Sequence, residues 1–346
     1  MLSLLKSTFL TSSVAILALT STTFSSPVPA EDLAERQSNS YVGYGFFYFI
    51  GNGAGQEQIY AAVSKGNSPT SWDLLNSGKP ILTSTVGTKG VRDPSIVRSQ
   101  DGSKFWLLAT DLNIGSGTSF GQASTNGSRS IVIWETSDLK NWSGPRLSQV
   151  INSTAGDAWA PEALYNTNKG QLFAASDTAH SGSSYHRIMR SSTTDFKTFT
   201  NGQVYVDRHG DSVLDLTFLK ANDGSLYRFI KNENPTSDPY PLTVYQEKSS
   251  NGTPDGTWTK VTENIGAGSI GSNEGPTAFL DNQNPNTAWL WVDEYNNRGY
   301  VALKSSNPAQ GGWTYQSNAS EPSNHARHGT ILPLTQTQYN NMRSQV

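Results

Sequence analysis

The chain has 346 residues with 25 Lys and Arg against 28 Asp and Glu, a formal net charge of −3, and a charged fraction of only 15%. Soluble domains usually carry about 25%, so the surface is read as neutral and hydroxyl-rich, without the basic footprint of a nucleic-acid-binding protein. The chain has no cysteine, which excludes disulfides and thiolate metal sites.

Residues 1–25 read as a secretory signal peptide: Lys6 supplies a positive start, Phe9 to Leu19 is mostly apolar, and small residues follow through Ser26. The apolar run is shorter than the ~20 residues a bilayer span needs. No membrane anchor is therefore expected, and the protein is expected outside the cell. Residues 26–40 read as a linker or short propeptide, and 41–346 as one domain. Sequons at Asn126, Asn141, Asn152, Asn251 and Asn318 make it a candidate glycoprotein.

From Tyr41 to Leu82 the chain carries strand-like runs, GYGFFYFI, QIYAAVSKG and Trp72 to Leu75. Arg92 to Asp111, RDPSIVRSQDGSKFWLLATD, then reads as a β-hairpin turning at Asp101-Gly102 with a carboxylate at its mouth. The pattern recurs as APEALYNTNKGQLFAASD, LDLTFLKANDGSLYRFIKNE, EGPTAFLDNQNPNTAWLWVDEY and a shorter HGTILPL. Taking Asp93, Glu162, Asp215, Glu274 and His328 as equivalent points gives a weak repeat of roughly 50 to 70 residues made of short strands, the signature of a β-propeller. Four acids and a histidine then meet at one central opening.

A second plan, an apolar strand, a Ser/Thr-rich turn with Asp, Asn or Gly, and an aromatic opening the next strand, occurs five times, as in IVIWETSDLKNWS and HRIMRSSTTDFKTFT. The fold class is therefore all-β, a five-bladed β-propeller. Too little chain follows His328 for a full blade, so the N-terminal segment is expected to complete the last one. Pairing the two chain ends would close the ring and protect its edges. Outside the signal, no helical periodicity longer than about three turns is seen.

In order along the chain, RDPSI (92–96), WAPEALY (159–165), LDLTF (214–218), NEGPTAF (273–279) and RHGTILPL (327–334) resemble glycoside hydrolase family 43. Its members are five-bladed propellers acting largely on arabinose- and xylose-containing plant polysaccharides. The resemblance implies Asp93 as general base, Asp215 as modulator of the acid's pKa, Glu274 as general acid, and single displacement with inversion. It also implies a plant polysaccharide or oligosaccharide as partner and no cofactor for the chemistry. A structural calcium or other ion near the axis is implied beside His328, through water. The protein is expected to be a monomer.

Each residue also has a plainer reading. Asp93 before Pro94 can cap a turn, and Glu274 can be a solvated turn residue. Asp215 stands between Leu214 and Leu216, where an unpaired buried acid is costly. Glu162 binds a sugar hydroxyl, substitutes for one of the acids, or serves structure. Trp159 is a stacking platform for a sugar ring or a core residue. Arg327 reaches the sugar or neutralises a carboxylate, and His328 sits beside the ion or hydrogen-bonds strand carbonyls. His209 and His325 read as loop residues.

The expected activity is release of L-arabinofuranose from arabinan, arabinoxylan or arabinogalactan. A β-xylosidase, a galactan-directed exo-enzyme or an endo-arabinanase would keep the same acids. The related five-bladed family that splits sucrose and fructans shares an Arg-Asp-Pro, but its Asn-Asp-Pro-Asn and Glu-Cys motifs are missing. A non-catalytic carbohydrate-binding propeller is the alternative from another class.

Overall fold

Five antiparallel sheets of four strands each are laid out along the chain. The computed structural model describes residues 41–346 apart from 167–168, 181–182, 235–241 and 296; the expected signal peptide and linker lie outside the described residues. The first complete blade holds β4 (Val91–Arg98), β5 (Phe105–Asp111), β6 (Ser130–Thr136) and β7 (Ser143–Gln149). The second holds β8 (Trp159–Asn166), β9 (Lys169–His180), β10 (Ser183–Thr193) and β11 (Gln203–Val206). The third comprises β12 (Val213–Lys220), β13 (Leu226–Asn232), β14 (Val244–Ser249) and β15 (Trp258–Thr262). The fourth comprises β16 (Glu274–Leu280), β17 (Ala288–Glu294), β18 (Gly299–Ser305) and β19 (Thr314–Tyr315).

The last blade joins the two ends of the chain. Its innermost strand, β20 (Arg327–Leu334), pairs antiparallel with β1 (Gly43–Phe49), followed by β2 (Tyr60–Lys65) and β3 (Ser68–Leu74). The innermost strands β4, β8, β12, β16 and β20 each touch the innermost strands on either side, closing a ring. This is a five-bladed β-propeller, as the repeat implies.

Apolar side chains from neighbouring blades fill the spaces between sheets: Phe47 and Val63 of the last blade pack with Leu107 and Trp134 of the first. Strands covered on both faces read as continuous apolar runs, and β5, FWLLATD, is buried along its whole length. The Ser/Thr-x-Asp turns are explained by hydrogen bonds. Asp138 Oδ1 accepts from the Thr136 hydroxyl and the backbone N–H groups of Lys140 and Asn141. Asp195 does the same with Thr193, Lys197 and Thr198. Each closes the turn between the third and fourth strands of its blade.

Two helices were not legible in the sequence. A short α1 (Phe120–Asn126) rides on the β5–β6 connection, and α2 (Gln336–Arg343) follows β20. A capping box at Thr335 and Gln338 starts α2. It then packs onto β1 so closely that a Cβ on Gly43 would lie 2.4 Å from the Tyr339 ring.

Every innermost strand interrupts its ladder at the same level. The register skips between Arg92 and Ser95, Trp159 and Glu162, Leu214 and Thr217, and Glu274 and Thr277, and β20 leaves His328 unpaired. Asp93, Ala160, Asp215 and Gly275 hold left-handed φ values of 50°, 47°, 50° and 56° at these bulges. The bulges correct the repeat. Asp93, Asp215 and His328 are equivalent, but their partners in the second and fourth blades are Ala160 and Gly275, not Glu162 and Glu274. Glu274 shares its level with Arg92, Trp159, Leu214 and Arg327, and Glu162 shares the next level inward with Ser95, Thr217, Thr277 and Thr330.

Candidate active site

A bulge turns its extra residue out of the strand's alternation and re-aims the side chain. At Asp93 and Asp215 this sends two carboxylates to the ring's mouth, in a backbone conformation that costs an L-residue about 1 kcal/mol. His328 stands between them, its Nδ1 3.6 Å from Asp93 Oδ1 and 3.7 Å from Asp215 Oδ2. Asp215 Oδ2 also accepts the backbone N–H of Gly275 at 2.9 Å. A Cβ on Gly275 would lie 2.6 Å from the His328 ring, so only glycine fits at that bulge. The buried Tyr300 hydroxyl donates to Gly275 O at 2.6 Å and lies 3.2 Å from Gly329 O, tying the fourth bulge to the fifth.

Glu274 lies next to this group, between two cations. Lys231 Nζ is 3.8 Å from Oε2 and Arg327 Nη2 is 3.6 Å from Oε1. Despite them its pKa rises from 4.5 to about 8, first through burial and then through the negative charge of Asp215, with Asp293 adding to the push. Lys231 is fully buried; burial works against its charge, but Glu233 and Glu274 outweigh it and raise its pKa. Arg327 is bound through Nε to Asp293, itself buried and shifted upward by burial. Arg327 therefore stands between two carboxylates, Asp293 and Glu274.

On the other side, Arg92 Nε is 3.4 Å from Asp93 Oδ2, and its guanidinium donates to Asn52 at 2.9 Å and lies 3.5 Å from Glu57. Trp159, half-buried at the level of Glu274, stacks on His186 at 5.1 Å between ring centroids. Nε2 of His186 is 2.7 Å from the fully buried Oδ2-bearing carboxylate of Asp157. Glu162 is set deeper, on the ring's inner face, where the Thr217 hydroxyl donates to its Oε2 at 3.3 Å. Burial pushes its pKa from 4.5 to about 8. Among the described residues, no group of three or more His, Asp or Glu is placed to hold a metal ion directly. An ion beside His328 would depend on water for most of its ligands.

Sequence reading missed Lys231, Asp293, Arg92, His186 and Asp157. Lys231 follows Phe229-Ile230 in YRFIKNE and Asp293 follows the apolar Trp289 to Val292 in WLWVDEY, charges set directly against apolar strand residues.

The model of a glycosyl hydrolase domain related to family 43, described as "Probable glycosyl hydrolase domain", matches residues 39–340. The chain belongs to this family. The chain is also 31% identical over 211 residues to an α-L-arabinofuranosidase of Bifidobacterium longum subsp. longum. That match covers 55% of this chain and only 20% of the much longer relative. Its fold resembles the α-L-arabinanase of Penicillium chrysogenum solved with arabinobiose, at 15% identity and a TM-score of 0.52, covering 79% of this chain and 75% of that one. The chain thus places a glycosyl hydrolase-family sequence on a propeller scaffold, with Asp93, Asp215 and Glu274 near the mouth and Glu162 deeper in the ring.

Proposed function

We propose that this family 43-related hydrolase is a secreted, inverting α-L-arabinofuranosidase that acts on plant cell-wall polysaccharides or their oligosaccharides. The observation that carries the reading is the contrast among the three carboxylates. Glu274 keeps its proton up to about pH 8, as an acid that must protonate a departing sugar oxygen requires. Asp215, whose charge helps hold that proton, is the modulator. Asp93, held by Arg92 and reached by His328, takes the proton of the attacking water.

Inversion asks the acid and base to stand about 6.5–9.5 Å apart so that a water fits between them and the sugar. The ring supports that arrangement: Asp93 belongs to the first blade and Glu274 to the fourth, with the fifth blade's His328 between. No cofactor is needed for this chemistry. Arabinose is supported by the name of the 31% identical relative.

The test is sugar release by purified protein from aryl α-L-arabinofuranoside, aryl β-D-xyloside, linear arabinan, arabinoxylan and arabinogalactan, with Glu274→Gln in parallel. Arabinose release that disappears in the variant supports the reading. Release of xylose or galactose alone would replace the sugar but keep the acid. Glycan binding without any release, unchanged in Glu274→Gln, would favour a carbohydrate-binding propeller.

A further inference from the structure

One aromatic ring at the mouth is left uncovered. Phe120 is 44% exposed, and it is the sole aromatic among the largely exposed apolar side chains of the described residues. It lies beside the charged centre. The Arg92 guanidinium sits 5.1 Å over the Phe120 ring and 4.5 Å over Phe49, while Arg92 Nε faces Asp93. Ring and carboxylate therefore contact the same guanidinium. Trp159 meets Phe120 edge-on, with centroids 6.4 Å apart and planes at 80°.

Both rings are held from behind. Trp159 rests on His186, which is fixed by the buried Asp157. The β5–β6 connection that carries Phe120 is anchored at its start by Glu57, whose carboxylate accepts the backbone N–H groups of Ile114 and Gly115 at 2.9 and 2.8 Å. At its end the N–H of Gly127 donates to Gly156 O at 2.7 Å. A buried acid and two backbone anchors thus hold an apolar ring in water at the edge of a polar site. Solitary exposed apolar residues need no explanation, but an aromatic pair braced by buried polar groups and joined to the catalytic carboxylate does.

We infer that Phe120 and Trp159 form a platform for a second sugar ring, next to the one whose bond is cut. The apolar C–H face of a furanose or pyranose matches an aromatic face, and rigid aromatic platforms lose little conformational freedom on binding. The ligand class is an oligosaccharide of at least two units, and the platform rests on the proposed glycosidase reading of the same mouth. His186 and Asp157 are positioning residues that act through Trp159.

The test uses the full chain carrying Glu274→Gln, to prevent turnover, and calorimetric binding of arabinotriose, xylotriose and β-1,3-galactotriose against their monosaccharides. At least one trisaccharide should bind tenfold or more tightly than its monosaccharide. Adding Phe120→Ala should reduce that advantage about five- to twentyfold while leaving the melting temperature and monosaccharide binding unchanged. Phe120→Trp should restore it and Phe120→Leu should not, because leucine covers Arg92 without offering a ring face. An advantage untouched by Phe120→Ala, restored equally by leucine, or absent from all three trisaccharides overturns the inference. If xylotriose or galactotriose alone shows the pattern, the platform stands and the arabinose assignment falls. If arabinotriose is cleaved by the parent while Phe120→Ala leaves its KM unchanged, the platform falls and the assignment stands.

Discussion

Two buried acids should make this protein lose stability as pH rises through neutrality. Glu162 and Glu274 each have a pKa near 8 in the fold against 4.5 ordinarily. Between those values the folded chain holds protons that the unfolded chain has released. Stability therefore falls with rising pH, by at most ~1.4 kcal/mol per pH unit for each group, and the full cost is reached above about pH 8. Water reaches both side chains and Lys231 and Arg327 can adjust around Glu274, so the realised cost is on the order of 2–4 kcal/mol per acid. At about 2 °C per kcal/mol for a domain of this size, each acid should lower the melting temperature by roughly 4–8 °C between pH 5 and pH 9. The assay is thermal unfolding from pH 5 to pH 9 of the parent, Glu162→Gln and Glu274→Gln. Glutamine keeps the shape and hydrogen bonding of the neutral acid and cannot ionise. Each variant should flatten the curve and exceed the parent at pH 9, while matching it within a degree or two at pH 5. Three parallel curves would refute the assignment of raised pKa values to these residues. Below pH 4 the sign reverses, because Glu294, Asp138 and Asp195 are held near 2, and the stability they contribute is lost as they take up protons.

The same charges should set the alkaline limb of the rate profile. kcat/KM should fall above about pH 8 as Glu274 loses its proton. Asp215→Asn should move that limb to lower pH and Lys231→Met to higher pH, since Asp215 raises and Lys231 lowers the Glu274 pKa; shifts in the same direction would contradict the electrostatic account. Gly275→Ala should cost more than about 1 kcal/mol of stability, read as a lower melting temperature, and should reduce turnover because the added Cβ strikes the His328 ring. Dialysis against a chelator should leave turnover unchanged, measured on the aryl glycoside; a loss restored by calcium would show an ion essential to the site.

The propeller was legible because blades repeat their turn chemistry. Asp101, Asp138 and Asp195 each close a turn by accepting local hydroxyl or N–H groups, and such local bonds leave local sequence marks. Ring closure followed from counting strands at the two ends. Alignment of the inner strands was less secure, because the eye matches acids with acids while the backbone matches bulges with bulges. Glu274 precedes its bulge and Glu162 follows its own by two residues, so one faces the mouth and the other the ring's inner face. Lys231 and Asp293 were hidden inside apolar strands, where a single polar residue looks like noise until its partner from another blade is known. Phe120 was hidden differently: it lies in a connection with no repeat counterpart, and its neighbours Arg92 and Trp159 are remote in sequence.

The most direct test of Glu274 as the general acid compares leaving groups. A 2,4-dinitrophenyl glycoside departs without protonation, whereas an oligosaccharide needs a proton delivered to the glycosidic oxygen. Glu274→Gln should lose less than about tenfold in kcat on the activated substrate and about 10²–10⁴-fold on the oligosaccharide. Equal losses on the two substrates would show that Glu274 does not deliver the proton.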